Sequence, residues 1–349
     1  MVSTPYTDTL IKIDWMPFIL KQSFALPVRG LAWIGSQGTR AVAALVLFGI
    51  AVPPLGEVLK PFVTEAIFVL LCISFMRVDI RALRDHLRRP ALVIAATAWT
   101  TLAVPAIIGT IFHFGGLDAR SPDLFLALML QAVASPMMAA PSLAALMGLD
   151  ATLVLVTLVT STALVPFTAP LFASVFFGTA LTLSPAALGL KLAAILLGSL
   201  VVAGAIRWLA GAPAIQRHKL PIDGVNILVL LIFVAAVMGN VIGSLLANPV
   251  QMIGMTALAF AIFFLLAGVT AVIFRSVGRE RALAIGLMVS QRNMGLMVAA
   301  TDGILPGITW LYFALSQFPI YLSPQLLKPI VDRLVAQRIE AAAPEIADA

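Results

Sequence analysis

The chain has 349 residues, of which 61% are hydrophobic and only 11% charged, against about 25% charged in ordinary soluble domains. Mean hydropathy is +1.06. A soluble globule of this size needs far more polar surface, and disorder is excluded on the same ground, so the composition specifies an integral membrane protein. At about 20 residues per helical span, the length holds on the order of ten spans.

Residues 1–38 carry only short apolar pieces, Trp15–Leu20 and Phe24–Val28, broken by Pro17, Lys21 and Pro27. Without a basic start and a long apolar core this is not a cleaved signal peptide. Trp15 and the lysines suit the headgroup region, which predicts a cytoplasmic, interfacial segment. Apolar runs then predict spans near 41–58, 61–76, 90–112, 122–147, 151–177, 186–210, 225–247, 250–274, 282–301 and 304–331. The expected fold is therefore an all-α polytopic membrane protein with a ten-helix domain over 39–331 and a cytoplasmic tail over 332–349.

The basic residues sort by side. Lys12, Lys21, Arg29 and Arg40 precede the first span; Arg77, Arg81, Arg84, Arg88 and Arg89 follow the second; Arg207, Arg217 and Lys219 follow the sixth. Arg275, Arg279 and Arg281 follow the eighth, and Lys328, Arg333 and Arg338 end the tenth. In a ten-span chain all of these fall on one face, and only Lys60, Arg120 and Lys191 fall on the other. The positive-inside rule makes the first face cytoplasmic and puts both termini there, in an inner (plasma) membrane. The net charge of +6 is thus a topology signal and not a nucleic-acid footprint.

Two spans carry polar interruptions. Span 4 contains Gln131, Ser135, Pro136, Pro141 and Ser142; span 9 contains Ser290, Gln291, Arg292 and Asn293. Each leads into a short acidic turn, Gly148-Leu149-Asp150 or Asp302-Gly303, and then into a span with two late prolines, Pro166 and Pro170 or Pro319 and Pro324. Five spans separate the two patterns, and an odd number inserts the second half upside down. That spacing predicts two inverted five-helix repeats, about 39–178 and 185–331, with helices 4 and 9 broken at mid-membrane where transporters bind substrate. The alternative is that proline and glycine are simply frequent in membrane helices.

Pro136 and Pro141 lack N–H groups and should open span 4, freeing carbonyls near Gln131–Met137. Arg292 is the sharpest signal, because an arginine at a span centre costs about 2.5–3.5 kcal/mol on insertion scales. It either pairs with a buried carboxylate, for which Glu65 in span 2 is the candidate, or grips an anionic substrate with its planar fork. Cys72 is the single cysteine, and His86, His113 and His218 are scattered. No metal-ligand spacing, phosphate-binding Gly-rich loop or nucleophile motif occurs, so no enzyme activity and no metal cofactor are expected.

At the two interrupted helices the sequence resembles the bile acid:sodium symporter family. That family's helix-4 motif, Pro-Gly-Gly-x-x-Ser-Asn, falls on Pro136-Met137-Met138-Ala139-Ala140-Pro141-Ser142, and its helix-9 motif, Glu-x-Gly-x-Gln-Asn, falls on Met288-Val289-Ser290-Gln291-Arg292-Asn293. Only Pro136 and Asn293 match outright. The resemblance implies ten spans as two inverted repeats, with helices 4 and 9 crossing at mid-membrane. It also implies a sodium site, but the positions that would ligate the ion read Met288, Pro141-Ser142 and Arg292, and span 5 presents Val154 and Leu158 in place of hydroxyls. Sodium is therefore not supported by the residues, and the Arg292 guanidinium stands in the electrostatic place of the ion. The function this implies is secondary transport of a small organic anion by alternating access. Arg292, Asn293, Gln291, Ser290, Ser142, Gln131, Pro136 and Pro141 line the expected site. The alternative is a proton-coupled carrier or ion exchanger that titrates Glu65.

Overall fold

The computed structural model describes residues 18–37, 49, 51–78, 90–178, 181 and 183–347. Half of span 41–58 and the loop residues Arg81, Arg84, Arg88 and Arg89 lie outside that set. So do residues 1–17 of the N-terminal segment. Among the described residues every regular element is a helix. Those of seven residues or more, in chain order, are α1 (Phe18–Ser36), α2 (Pro53–Met76), α3 (Pro90–Phe114), α4 (Pro122–Val133), α5 (Ala140–Leu146), α6 (Ala151–Phe177), α7 (Pro185–Ala210), α8 (Lys219–Ala247), α9 (Pro249–Ile273), α10 (Arg279–Ser290), α11 (Met294–Ala300) and α12 (Gly307–Ala347). Six of them, α2, α3, α6, α7, α8 and α9, are long and apolar enough to cross a membrane. The chain is an all-helical, multi-pass membrane protein.

Three elements depart from the expected boundaries, one of them α12, which continues past residue 331 through the expected tail to Ala347. The Lys60-Pro61 step, read as a turn between spans 1 and 2, is wound through as a 3-10 stretch, Lys60–Phe62, so that Pro53–Met76 is one 24-residue helical run. Proline fits such a place because its fixed φ suits the first turn of the next helical segment, and the tighter winding gives the Lys60 carbonyl the N–H of Val63. The third departure is α1, a helix with Pro27 inside it, in the segment expected to carry only short apolar pieces. It packs along α8. Gly35 and Gly224 permit the contact, since a Cβ at Gly224 would overlap the Leu31 carbonyl and one at Gly35 would overlap that of Leu220.

The helices divide into an inner group and an outer ring. The stretch from Phe125 to Ala134 is buried throughout, as are Ala284–Arg292 and Met294–Thr301. A helix buried on all sides must be apolar all round. By contrast α7 and α9 expose apolar side chains along much of their length, including Leu197, Val201, Trp208, Ile253, Leu265 and Val272. In a membrane these outer faces meet lipid. The two buried stretches are the ones that carry the polar interruptions, so protein and not lipid surrounds the breaks.

Candidate functional site

Both inner helices stop in mid-course. Helix α4 ends at Val133, and Ala134 turns extended with φ −61° and ψ 147°. The chain re-enters a helix at Ala140, with Pro141 in the first turn of α5, where a missing N–H loses nothing. Helix α10 ends at Ser290, Gln291 is extended, and Asn293 starts α11 by accepting the Leu296 N–H on its Oδ1 at 3.3 Å. The first break follows from proline; the second contains none and is held by this cap.

The two breaks meet. Met137 N–H donates to the Gln291 carbonyl at 2.7 Å, and Asn293 N–H donates to the Ser135 carbonyl at 2.8 Å. Pro136 and Arg292 thereby form an antiparallel bridge. Backbone groups released by each interruption are satisfied by the other, as a membrane interior demands.

Arg292 sits at this crossing with 2% of its surface exposed. Its Nη1 donates to the Ala134 carbonyl at 3.0 Å and the Thr100 carbonyl at 3.2 Å. The second acceptor is available for a local reason. Within α3, residues Trp99–Ala103 are wound as a π-helix, and the Val104 N–H reaches back five residues to the Trp99 carbonyl. The same register would assign the Thr100 carbonyl to residue 105, which is proline and has no N–H. The guanidinium takes the orphaned acceptor. Its Nε and Nη2 have no hydrogen-bond partner, and no carboxylate pairs with it among the described residues.

The expected partner, Glu65, is not brought to Arg292. It lies on the exposed face of α2, in line with Val58, Phe62 and Val69. The opposite side of α2, two residues and about 200° further round, carries Ile67, which packs beside Gly295 of α11. Ser142 is also displaced: Ala140 and Ala144 are buried inward faces of α5, and Ser142 stands between them pointing out. The remaining expected residues do converge on the inner helices, but most are already engaged. Gln131 Oε1 accepts from the Tyr312 hydroxyl at 2.6 Å. Gln291 Nε2 donates to Ser323 Oγ at 2.5 Å, and Ser290 Oγ donates to the Leu287 carbonyl at 2.9 Å. Pro136 is buried in the bridge and Pro141 is half-buried.

Other polar atoms are free instead. Ser135 Oγ, Gln291 Oε1, Thr97 Oγ1, Thr157 Oγ1, Ser161 Oγ and Thr162 Oγ1 are buried without a partner. Ser135 and Gln291 belong to the breaks. Thr157 and Ser161 are one turn apart on α6, which packs against α3, α4 and α10. The signal available in the sequence is two hydroxyls at i, i+4 in an apolar span, Thr157 and Ser161, each three residues beyond Val154 and Leu158.

Ion pairs flank both ends. Asp150, which caps α6 by accepting the Leu153 N–H at 2.9 Å, pairs with Arg281 at 3.5 Å. Asp302 pairs with Lys191. Arg281 opens α10 and Asp302 follows α11, so the two pairs stand at opposite ends of one interrupted helix. No protein-family model matches the chain, and no curated protein matches it.

Proposed function

We propose that this protein is a secondary transporter of a small organic anion, working by alternating access about the crossing of the two interrupted helices. In this reading the chain has ten spans arranged as two inverted five-helix repeats, about 39–178 and 185–331, on a scaffold similar to that of the bile acid:sodium symporters. Both termini face the cytoplasm.

The observation that carries the reading is Arg292. A buried charge without a partner is strongly destabilising, by about 3–5 kcal/mol when a pair is broken. Two carbonyls on Nη1 supply dipoles but no countercharge. The Nε–Nη2 edge, which is the edge that grips a carboxylate with two parallel hydrogen bonds, stays free at the only place where both breaks meet. An anion on that edge supplies the missing charge. The same guanidinium disfavours sodium nearby, so transport does not depend on sodium.

The test is a thermal-shift screen of purified protein against small anions with and without sodium. Flux of the stabilising anion into proteoliposomes follows, with sodium replaced by choline. The expected result is an anion that stabilises the wild type but not Arg292→Ala and whose flux is unchanged in choline. Steep sodium dependence refutes the uncoupled mechanism. Equal stabilisation of the wild type and Arg292→Ala refutes the site.

A further inference from the structure

A cleft of about 190 Å³ lies between α9, α10, α12 and the turn after α5, where Met147 and Leu149 line it. Its walls are wholly apolar and include Phe264, Gly268 and Ala271 of α9, Leu283 and Leu287 of α10, and Ile330 of α12. It opens outward, because Phe264, Gly268 and Ile330 are exposed. Helix α9 ends at Ile273. At about 1.5 Å per residue, the stretch from Ala271 to Phe264 lies about 3–14 Å below that end, the depth of an acyl chain near its headgroup.

Charge lies at the same end. Arg275 follows α9 by two residues, and Arg279 precedes Leu283 by one helical turn. Both are exposed, and neither makes an ion pair among the described residues. The nearby cations Arg281 and Lys328 are engaged by Asp150 and Asp332. An apolar slot at acyl depth beneath two uncommitted guanidinium groups matches one chemistry on both counts. We propose that this cleft binds an anionic phospholipid, with an acyl chain against Gly268 and Leu287 and the phosphate on Arg275 and Arg279. Leu287 is one turn before Gln291, so the bound chain supports the helix that carries the second break. The site is independent of the transport reading.

Gly268 supplies a clean test, since a Cβ placed there meets no atom within 4 Å. Gly268→Leu puts an apolar side chain into the cleft from a Cβ position that meets no protein atom. Detergent-purified wild type, Gly268→Leu and Arg275→Gln/Arg279→Gln would be compared by native mass spectrometry and thermal shift. Each would be titrated with phosphatidylglycerol and with phosphatidylcholine. The wild type is expected to retain one phosphatidylglycerol and to bind it about tenfold or more tightly than phosphatidylcholine, given about 1 kcal/mol per basic residue at an anionic surface. Gly268→Leu should lose the bound lipid of either kind. The double arginine variant should keep a lipid but no longer discriminate. Equal binding of the two lipids by the wild type overturns the proposal, as does an undiminished phosphatidylglycerol adduct on Gly268→Leu.

Discussion

The two breaks are made by different means. The first, from Ala134 to Ala139, is opened by Pro136 and is rich in carbonyls but uncharged. The second, Gln291 to Asn293, is shorter, has no proline and carries the one buried guanidinium among the described residues. Neither is self-sufficient. Each break lends the other both donors and acceptors: Ala134 and Ser135 accept from Arg292 and Asn293, and Met137 N–H donates to the Gln291 carbonyl. The asymmetry is also chemical. A site with two proline breaks would offer carbonyls and suit a cation. Placing an arginine in one break brings a positive charge to the crossing, where the Ala134 and Thr100 carbonyls hold it in position.

Removing the charge is the largest expected effect. On the proposed reading Arg292→Ala removes the two-pronged grip on the anion, in which each hydrogen bond to a charged group contributes about 1.5–3 kcal/mol. Anion uptake into proteoliposomes should therefore fall about 100-fold or more. Arg292→Lys keeps the charge but loses the planar edge, and should retain a measurable fraction of that uptake. If both variants are equally dead, geometry and not charge sets the site apart from the first break. Next in size is a change that tests the first break alone. Tyr312→Phe leaves the Gln131 carbonyl, 3% exposed, without its donor. It should cost about 1–3 kcal/mol of stability, read as a lower melting temperature, with little change in anion affinity. An altered affinity at unchanged stability would move Gln131 into the binding site.

The sequence made the breaks legible because the signals were local. Pro136 and Pro141 cannot continue a helix, and Arg292 stands out in a chain where charge is scarce. What it could not display was which polar atoms are already spoken for. Gln131 is consumed by Tyr312, 181 residues away in sequence, and Gln291 by Ser323. Thr157 and Ser161 on α6 are buried with their hydroxyls unpartnered, which the sequence does not display. Glu65 stands on the outer face for a related reason: span membership fixes depth, but only packing fixes which face of α2 turns inward. The carbonyl of Thr100 combines both cases, since Pro105 is visible in the sequence and the π register that orphans its acceptor is not.

A smaller effect separates binding from capping at the second break. Asn293→Ala removes the acceptor for the Leu296 N–H and should cost about 1 kcal/mol. Asn293→Ser restores a capping oxygen and should recover that stability. If uptake recovers with it, Asn293 serves the break; if stability recovers alone, its amide also contacts the anion.

The least effect is expected at the turn after the first break, where a cap and an ion pair share one side chain. Asp150 Oδ1 accepts from Leu153, and Oδ2 faces Arg281 at 3.5 Å with both side chains partly exposed. Asparagine caps as well as aspartate does, so Asp150→Asn deletes the ion pair and keeps the cap, whereas Asp150→Ala deletes both. An ion pair of this exposure contributes about 0–1 kcal/mol. The asparagine variant should therefore melt close to the wild type, with the alanine variant about 1 kcal/mol less stable. Equal losses in the two would mean that the Arg281 contact fastens this end of the molecule. The inner crossing, held by backbone hydrogen bonds, would then be flanked by an electrostatic clasp that weakens with salt, and raising the ionic strength should lower the wild-type melting temperature while leaving Asp150→Asn unmoved.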